Sequence, residues 1–421
     1  MRFEYLSIIL IKGFGYVGSF FLTVLITNNV SPQIFGSYAY AITVLNLMVS
    51  LTLFGTSNYV IKETSISISN PQVYYKVWEK LFSFITYTIL IVFLASCLAI
   101  KVLNPANPFA LLIFILPVLV LLQFNLAKMQ GLFLVKTSQF IDLIFRPTLF
   151  VTFFIIQKHI LNSTPYVSIS FSFVISYVAS LLLSKFVISK NIASNSINKI
   201  NITSYANLKS IKNTALVLAP FGIVQVIQML NSSIDTLFVE YFFDYEVLAN
   251  YRITLTIASI TTFSLIPIGL IVKPRIAKAY KEGNFREIET IVGDSSFFAF
   301  ILTIFMVFFA WLTVLYLVPD IFGSGYEAYL GCFYFLALAM IVNSLFTFSG
   351  LVMLMVGAER IMLICVLLAL LVNLTVNLLL VNPLGYIGVA VGNLLAMTTW
   401  NLGCFYYLKI YKNINVCAIR F

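Results

Sequence analysis

The feature that constrains this chain most is a series of apolar runs, each about as long as a helix must be to cross a bilayer. The hydrocarbon core of a membrane takes about 20 helical residues. Between charged or Pro/Gly/Asn-rich breaks, twelve such runs fall near 5–27, 34–59, 81–100, 109–127, 138–157, 166–188, 213–239, 247–272, 291–318, 328–356, 361–380 and 385–408. They are too long for barrel strands and lack strict alternation, so α-helix is predicted. Composition removes the other option, core helices of a large soluble protein. Of 421 residues, 61% are apolar or aromatic and 10% charged, where a soluble domain carries about 25% charged residues. With a mean hydropathy of +1.01, the chain lacks the polar surface to face water on all sides. A soluble enzyme, a disordered chain and a fibre are excluded; an all-α polytopic membrane protein is predicted. The first run exceeds a signal-peptide core and no A-x-A site follows it, so it reads as a retained span.

Twelve spans put both termini on one side. That side carries Arg2, Lys62, Lys76, Lys80, Lys128, Lys136, Lys185, Lys190, Lys199, Lys209, Lys212, Lys273, Arg275, Lys278, Lys281, Arg286, Arg360, Lys409, Lys412 and Arg420. The other side has Lys101 and Lys158. Positive residues stay inside, so both termini are predicted to be cytoplasmic, in a multi-pass protein of the cytoplasmic membrane. The net charge of +10 is thus a topology signal. A nucleic-acid partner is not expected, since that would gather the basic residues on one face. Lys12, Arg146 and Arg252 are left over, and all three fall inside spans. The five cysteines form no CxxC and His159 is the single histidine, so no metal site and no cofactor are expected.

Every outer loop is short. The longest inner loop, 189–212, is rich in Asn, Ser, Ile and Lys and sits at the midpoint. It divides the chain into an N-terminal six-helix bundle (1–195), a cytoplasmic linker (196–212) and a C-terminal six-helix bundle (213–421). A shift of 213 residues sets Gly36-Ser37-Tyr38 on Ala249-Asn250-Tyr251, Ser19 on Ser232, Thr23 on Thr236 and Lys62 on Arg275. Six helices per half make this a parallel repeat.

Function in so apolar a chain is expected where polar groups lie at membrane depth. The first span carries Lys12, Tyr16, Ser19 and Thr23 on one helical face, and the seventh carries Gln225, Gln228, Ser232 and Asp235, with Asn231 and Thr236 beside them. The second span adds Asn46, Ser50 and Asn58. Against lipid such stripes are costly, so they face a cavity or another helix. Packing hydrogen bonds suffice for Ser and Thr; for Gln225, Gln228 and Asp235 on a single face a cavity is the reading adopted.

A charge at a span centre costs about 2.5–3.5 kcal/mol on insertion scales, which makes the three buried cations the sharper signals. Arg146 lies ten residues beyond Lys136, about 15 Å deep. Asp142, four residues earlier, can pair with it, though a paired guanidinium keeps donors to spare. Lys12 is shallower and can snorkel. Arg252 opens the eighth span near the outer face, where Asp235 is its simplest partner. Pro267-Ile268-Gly269 reads as a bend, and Gly388-x-x-x-Gly392 as a close-packing motif. No Ser/His/Asp set, phosphate loop or external carboxylate pair is present in the sequence, so an enzyme is not expected.

Val30-Ser31-Pro32-Gln33-Ile34-Phe35-Gly36-Ser37-Tyr38, followed by Lys62-Glu63, resembles the opening of bacterial polysaccharide (O-antigen) flippases of the multidrug/oligosaccharidyl-lipid/polysaccharide transporter superfamily. That family usually has Pro-Glu before its aromatic-Gly-x-Tyr and commonly Arg-Glu where Lys62-Glu63 stands. Asp235, Ala249-Asn250-Tyr251-Arg252 and Pro274-Arg275 resemble its helix 7–8 region. Gly357, Asn373, Asn377, Pro383-Leu384-Gly385 and Gly388-Val389-Ala390 resemble its helix 11–12 signature. The resemblance implies two six-helix bundles forming a V-shaped cavity lined by helices 1, 2, 7 and 8. It implies carriage of an undecaprenyl-diphosphate-linked oligosaccharide, an O-antigen or similar repeat unit, from the cytoplasmic to the periplasmic leaflet by alternating access.

On that reading Lys12 and Arg146 attract the diphosphate, Arg252 holds it nearer the outer side, and Asp235, Gln225, Gln228, Asn46 and Asn58 line the cavity around the sugars. Membrane lipids, a polysaccharide polymerase and chain-length proteins are the implied partners. H⁺ or Na⁺ is the implied counter-ion, with Asp142 and Asp235 as coupling candidates. A multidrug or organic-cation antiporter of the same fold, and a non-transporting scaffold for glycan assembly, stay open. The first would need carboxylates to dominate the cavity; intramembrane charge argues against the second.

Overall fold

The computed structural model describes the chain except residues 1, 69, 104–106, 192–207, 264, 266–267, 270–271, 273–274, 277–278, 281, 324 and 419–421. All regular structure among the described residues is helical. Exposure on the lipid-facing helices differs from that of a soluble protein. On the helix Phe285–Leu312, Phe297, Phe298, Ile301, Phe305 and Phe308 are each at least half exposed, while Ser296 and Thr303 are fully buried. Lipid solvates the outward rings, and the hydroxyls must turn inward.

Among the described residues ten helices are long and apolar enough to cross a membrane: 10–27, 32–53, 71–96, 110–131, 135–160, 165–191, 211–242, 285–322, 359–384 and 386–411. Each overlaps one of the twelve expected runs. The other two expected runs are helical but interrupted. One gives Tyr245–Ile260, closed by a turn at 261–263, and the other gives Leu330–Leu345 and Ser349–Met355. The bend expected at Pro267 lies outside the described residues, as does the linker from 196 to 207.

The second run also differs from a plain span. It forms α2 (Pro32–Leu53) and α3 (Thr56–Ile66), because Phe54 and Gly55 take φ of 38° and 79°. A Cβ on Gly55 would stand 2.5 Å from the Gly222 nitrogen, so glycine alone permits this break.

The chain folds as two compact units, Met1–Val30 with Ser37–Met229, and Ser31–Gly36 with Leu230–Phe421. The first unit contains α1 (Arg2–Thr27), α2, α3, α4 (Pro71–Leu103), α5 (Leu116–Gly131), α6 (Val135–Phe140), α7 (Arg146–Ile155) and α8 (Pro165–Asn191). On α8, Ser168, Ser172, Ser176, Ser180 and Ser184 recur every fourth residue and are at most 1% exposed. Each hydroxyl donates to a carbonyl about a turn back, as Ser172 does to Ser168 at 2.6 Å and Ser180 to Ser176 at 2.7 Å. The polar atoms are satisfied inside the helix, and the small side chains let α5 and α7 pack close. Leu122, Leu126, Met129, Ile141 and Leu181 form a core beside this ladder.

α9 (Leu208–Phe242) passes from the first unit into the second. The second unit adds α10 (Tyr245–Ile260), α11 (Phe285–Leu312), α12 (Val318–Phe322), α13 (Leu330–Leu345), α14 (Ser349–Met355), α15 (Glu359–Leu384) and α16 (Tyr386–Tyr411). α15 and α16 touch through Gly388, where a Cβ would lie 2.5 Å from the Leu380 carbonyl oxygen, and through Gly392, where it would overlap Asn377. Phe35 meets Tyr326 edge-on at 6.1 Å, and a Cβ on Gly36 would overlap the Tyr245 carbonyl, 2.7 Å from its carbon. Past α16 the chain turns back and buries Ile414, Val416 and Ala418. There the Ala418 N–H donates to Leu345 at 2.9 Å and the Asn415 N–H to Glu289 at 2.6 Å.

Candidate functional site

In the first unit the site is built where the helix of the fifth run widens. Pro147 has no N–H to offer Leu143, and its ring crowds that carbonyl. Residues Ile141–Phe145 form a π-turn, with the Arg146 N–H donating to Ile141. Such widenings recur at functional sites. Arg146 leaves this turn with its Nη2 3.2 Å from Asp142 Oδ1 and its Nη1 donating to the Tyr177 hydroxyl at 2.9 Å. Its guanidinium also lies 4.7 Å from the centre of the Tyr177 ring. The pairing with Asp142 expected from the i,i+4 spacing is present. One donor is left: the buried Arg146 Nε has no acceptor among the described residues. Side chains of Arg146 and Asp142 remain 25% and 27% exposed. α1 packs on the same turn, Gly15 against Leu143. Lys12, one turn away on α1, is half-buried.

The second unit gathers a different set. Asp235, 2% exposed on α9, accepts from Asn393 Nδ2 at 2.6 Å, Asn373 Nδ2 at 3.3 Å and the Tyr251 hydroxyl at 3.4 Å. The side-chain oxygens of Asn231, Asn373, Asn377 and Asn393 are buried and receive no hydrogen bond among the described residues. Asn373 and Asn377 share a face of α15 one turn apart, and both border the space left by Gly392. One buried carboxylate and several amide oxygens without donors thus lie in the same helices, α9, α15 and α16. The pairing expected between Arg252 and Asp235 is replaced: Arg252 Nη1 donates to Thr236 Oγ1 at 3.3 Å. Asp235 sits one residue away on α9 and takes Tyr251, the neighbour of Arg252 on α10, together with Asn373 of α15 and Asn393 of α16.

The remaining expected residues are more dispersed. Gln225 is already committed, its Oε1 accepting from the Gly55 N–H at 3.2 Å across to the α2–α3 break. Gln228, Asn46 and Asn58 are exposed. Tyr177, Tyr251, Asn373, Asn377 and Asn393 were not anticipated as site residues. Asn373 and Asn377 carried a signal as polar residues at i,i+4 in a span; Asn393 lies one residue after Gly392.

A helical chain with ten or more membrane-length segments and inward polar clusters is a polytopic membrane protein, and its fold is that of transporters and flippases. Residues 4–280 match the model of the polysaccharide biosynthesis protein family, and the chain belongs to that family. No curated protein sequence matches it significantly. Among solved structures it is similar to the lipid II flippase MurJ in an inward closed conformation, at 15% identity and a TM-score of 0.72 over 95% of this chain and 87% of that one. It is also similar to a multidrug resistance MATE family transporter of the MOP superfamily. The outward-facing form matches at 14% identity and a TM-score of 0.67 over 97% and 95% of the two chains. The inward-facing form matches at 12% and 0.66 over 97% and 98%. At these identities the likeness establishes the fold.

Proposed function

We propose that this protein is a flippase that carries an undecaprenyl-diphosphate-linked oligosaccharide, an O-antigen or similar repeat unit, from the cytoplasmic to the periplasmic leaflet of the bacterial inner membrane. Both termini are cytoplasmic on this reading. The six-helix bundles 1–195 and 213–421, joined by 196–212, alternate access around a hydrated V-shaped cavity. A diphosphate and its glycan cannot cross hydrocarbon bare, whereas the polyprenyl tail stays in lipid. The protein supplies cations and polar groups and makes or breaks no covalent bond.

The observation that supports this most is Arg146: an intramembrane guanidinium, held by Asp142 and Tyr177, with an N–H left over for a phosphate oxygen. Lys12 adds charge on the neighbouring helix, and Arg252 offers a second station. Gln228, Asn46 and Asn58, exposed as they are, solvate sugar hydroxyls. The organic-cation antiporter reading has one buried carboxylate without a cationic partner among the described residues to draw on, Asp235, and gives the guanidinium of Arg146 no role.

The counter-ion is Na⁺, held by Asp235 with the amide oxygens of Asn373, Asn377, Asn393 and Asn231. A proton needs only the carboxylate, while hard cations take oxygen ligands and four such oxygens lack donors here. Asp142 is the weaker coupling candidate, since its charge is matched within the same helix.

Deleting the protein should make lipid-linked repeat units accumulate on the cytoplasmic leaflet, and Arg146→Ala or Arg252→Ala at normal protein levels should lower surface glycan. Full export by both variants discards this substrate site. Normal leaflet distribution in the deletion discards the flippase.

A further inference from the structure

We infer that the lysine-rich end of the first unit carries a site for the phosphate of an anionic phospholipid, built on Lys128 with Lys185 beside it. Lys128 stands three residues before α5 ends at Gly131, about 4.5 Å inside the helix end. A lysine at that level ordinarily extends its ammonium to water. This one turns back onto rings, its Nζ 4.1 Å from the centre of Phe124 and 4.9 Å from that of Trp78. Trp78 is fixed in place, 6% exposed, with its Nε1 donating to Thr64 at 2.9 Å. Ring faces attract the charge but are poor acceptors for three N–H groups. Among the described residues Lys128 has no carboxylate within 4 Å and no hydrogen-bond acceptor.

A second cation bears on it. Asn125 of α5 donates to Ser184 of α8 at 3.2 Å, which sets Lys185, the next residue of α8, within a turn of the level of Lys128. Two like charges there, neither with a carboxylate within 4 Å among the described residues, repel. A shared phosphate removes that repulsion and supplies the missing acceptors.

The surroundings favour a lipid over a free ion. Leu182 and Phe186, flanking Lys185 on α8, are 61% and 63% exposed and offer an apolar wall to acyl chains. The site is distinct from the Arg146 cluster, since Lys185 lies eight residues along α8 from Tyr177, about 12 Å. Only the naming of the leaflet, cytoplasmic, rests on the orientation proposed above.

The test uses the purified full-length protein in neutral detergent, titrated separately with phosphatidylglycerol, phosphatidylcholine and inorganic phosphate, with bound lipid read by native mass spectrometry. The readout is independent of export, so it stands or falls apart from the flippase assignment. Phosphatidylglycerol should bind, and Lys128→Met and Lys185→Met should each weaken it about tenfold. Lys76→Met, an exposed lysine at the same end, should change nothing. Undiminished binding in Lys185→Met overturns the site even where Lys128→Met does not fold, because Lys185 is exposed. Phosphatidylcholine binding as tightly as phosphatidylglycerol overturns it as well, and inorganic phosphate binding with equal affinity overturns the lipid assignment.

Discussion

Replacing Asp235 with Asn separates charge from shape at the cluster on α9, α15 and α16. The native carboxylate accepts from Asn373, Asn393 and Tyr251. An asparagine keeps the volume and one acceptor, but its new amide would confront Asn393 Nδ2, now 2.6 Å from Asp235 Oδ2. Half a rotation of the Asn393 amide relieves this, because the Asn393 oxygen has no donor to lose. The cost is a charge-assisted bond exchanged for a neutral one, about 1 kcal/mol.

Asp235→Ala instead strands three buried donors at about 1–3 kcal/mol each and should destabilise severely. On the proposed assignment of sodium to Asp235, the ion separates the variants further. At ten times its Kd, a ligand that binds only the folded state stabilises by about 1.4 kcal/mol. The assay is the unfolding midpoint in detergent, in NaCl and in choline chloride at equal ionic strength. Wild type should gain a few degrees in sodium; Asp235→Asn should stay folded, gain nothing and lose export. A full sodium shift in Asp235→Asn would place the cation elsewhere, and a choline midpoint as low as that of Asp235→Ala would refute the Asn393 rotation.

Further outcomes are expected elsewhere in the molecule. Gly36→Ala would drive a methyl into the Tyr245 carbonyl and should cost about 1–3 kcal/mol by overpacking, read as a lower unfolding midpoint. Gly18→Ala, with open space around its Cβ, should be neutral or stabilising by about 0.5–1 kcal/mol. Arg146→Lys keeps the charge but loses the fork that joins Asp142 and Tyr177, so export should fall about tenfold, as the loss of roughly 1.4 kcal/mol implies. Ser176→Leu should wedge α8 from its neighbours and reduce folded protein at unchanged transcript, an effect that Ser189→Leu on an exposed turn should not show.

The span pattern was legible because burial in lipid is a property of composition averaged over about 20 residues. The breaks were not, because they are set by φ at single positions: Gly55 is one glycine among several in the spans until Gly222 is seen against it. Arg146 with Asp142 followed from helical spacing alone. Arg252 with Asp235 did not, since two residues at a similar depth can still point to different neighbours, and Asp235 accepts from Asn373 of α15, Asn393 of α16 and Tyr251 of α10 instead. Gln225 looked like a cavity residue because a stripe cannot reveal that one member is already bonded to a backbone N–H on another helix. The serine ladder of α8 could have been read from its period of four, yet weak polarity spread over a strongly apolar run escapes an average.

The tight seat of Gly36 beneath the Tyr245 carbonyl bears on how chains of this kind are recognised. The Phe-Gly-x-Tyr string that makes this sequence look familiar answers a demand of sterics, a bare α-carbon where two backbones nearly collide. Sharing that signature therefore certifies common architecture and is silent about cargo. A side chain at that position would have to part the two backbones, so the glycine answers to the fold whatever the protein carries.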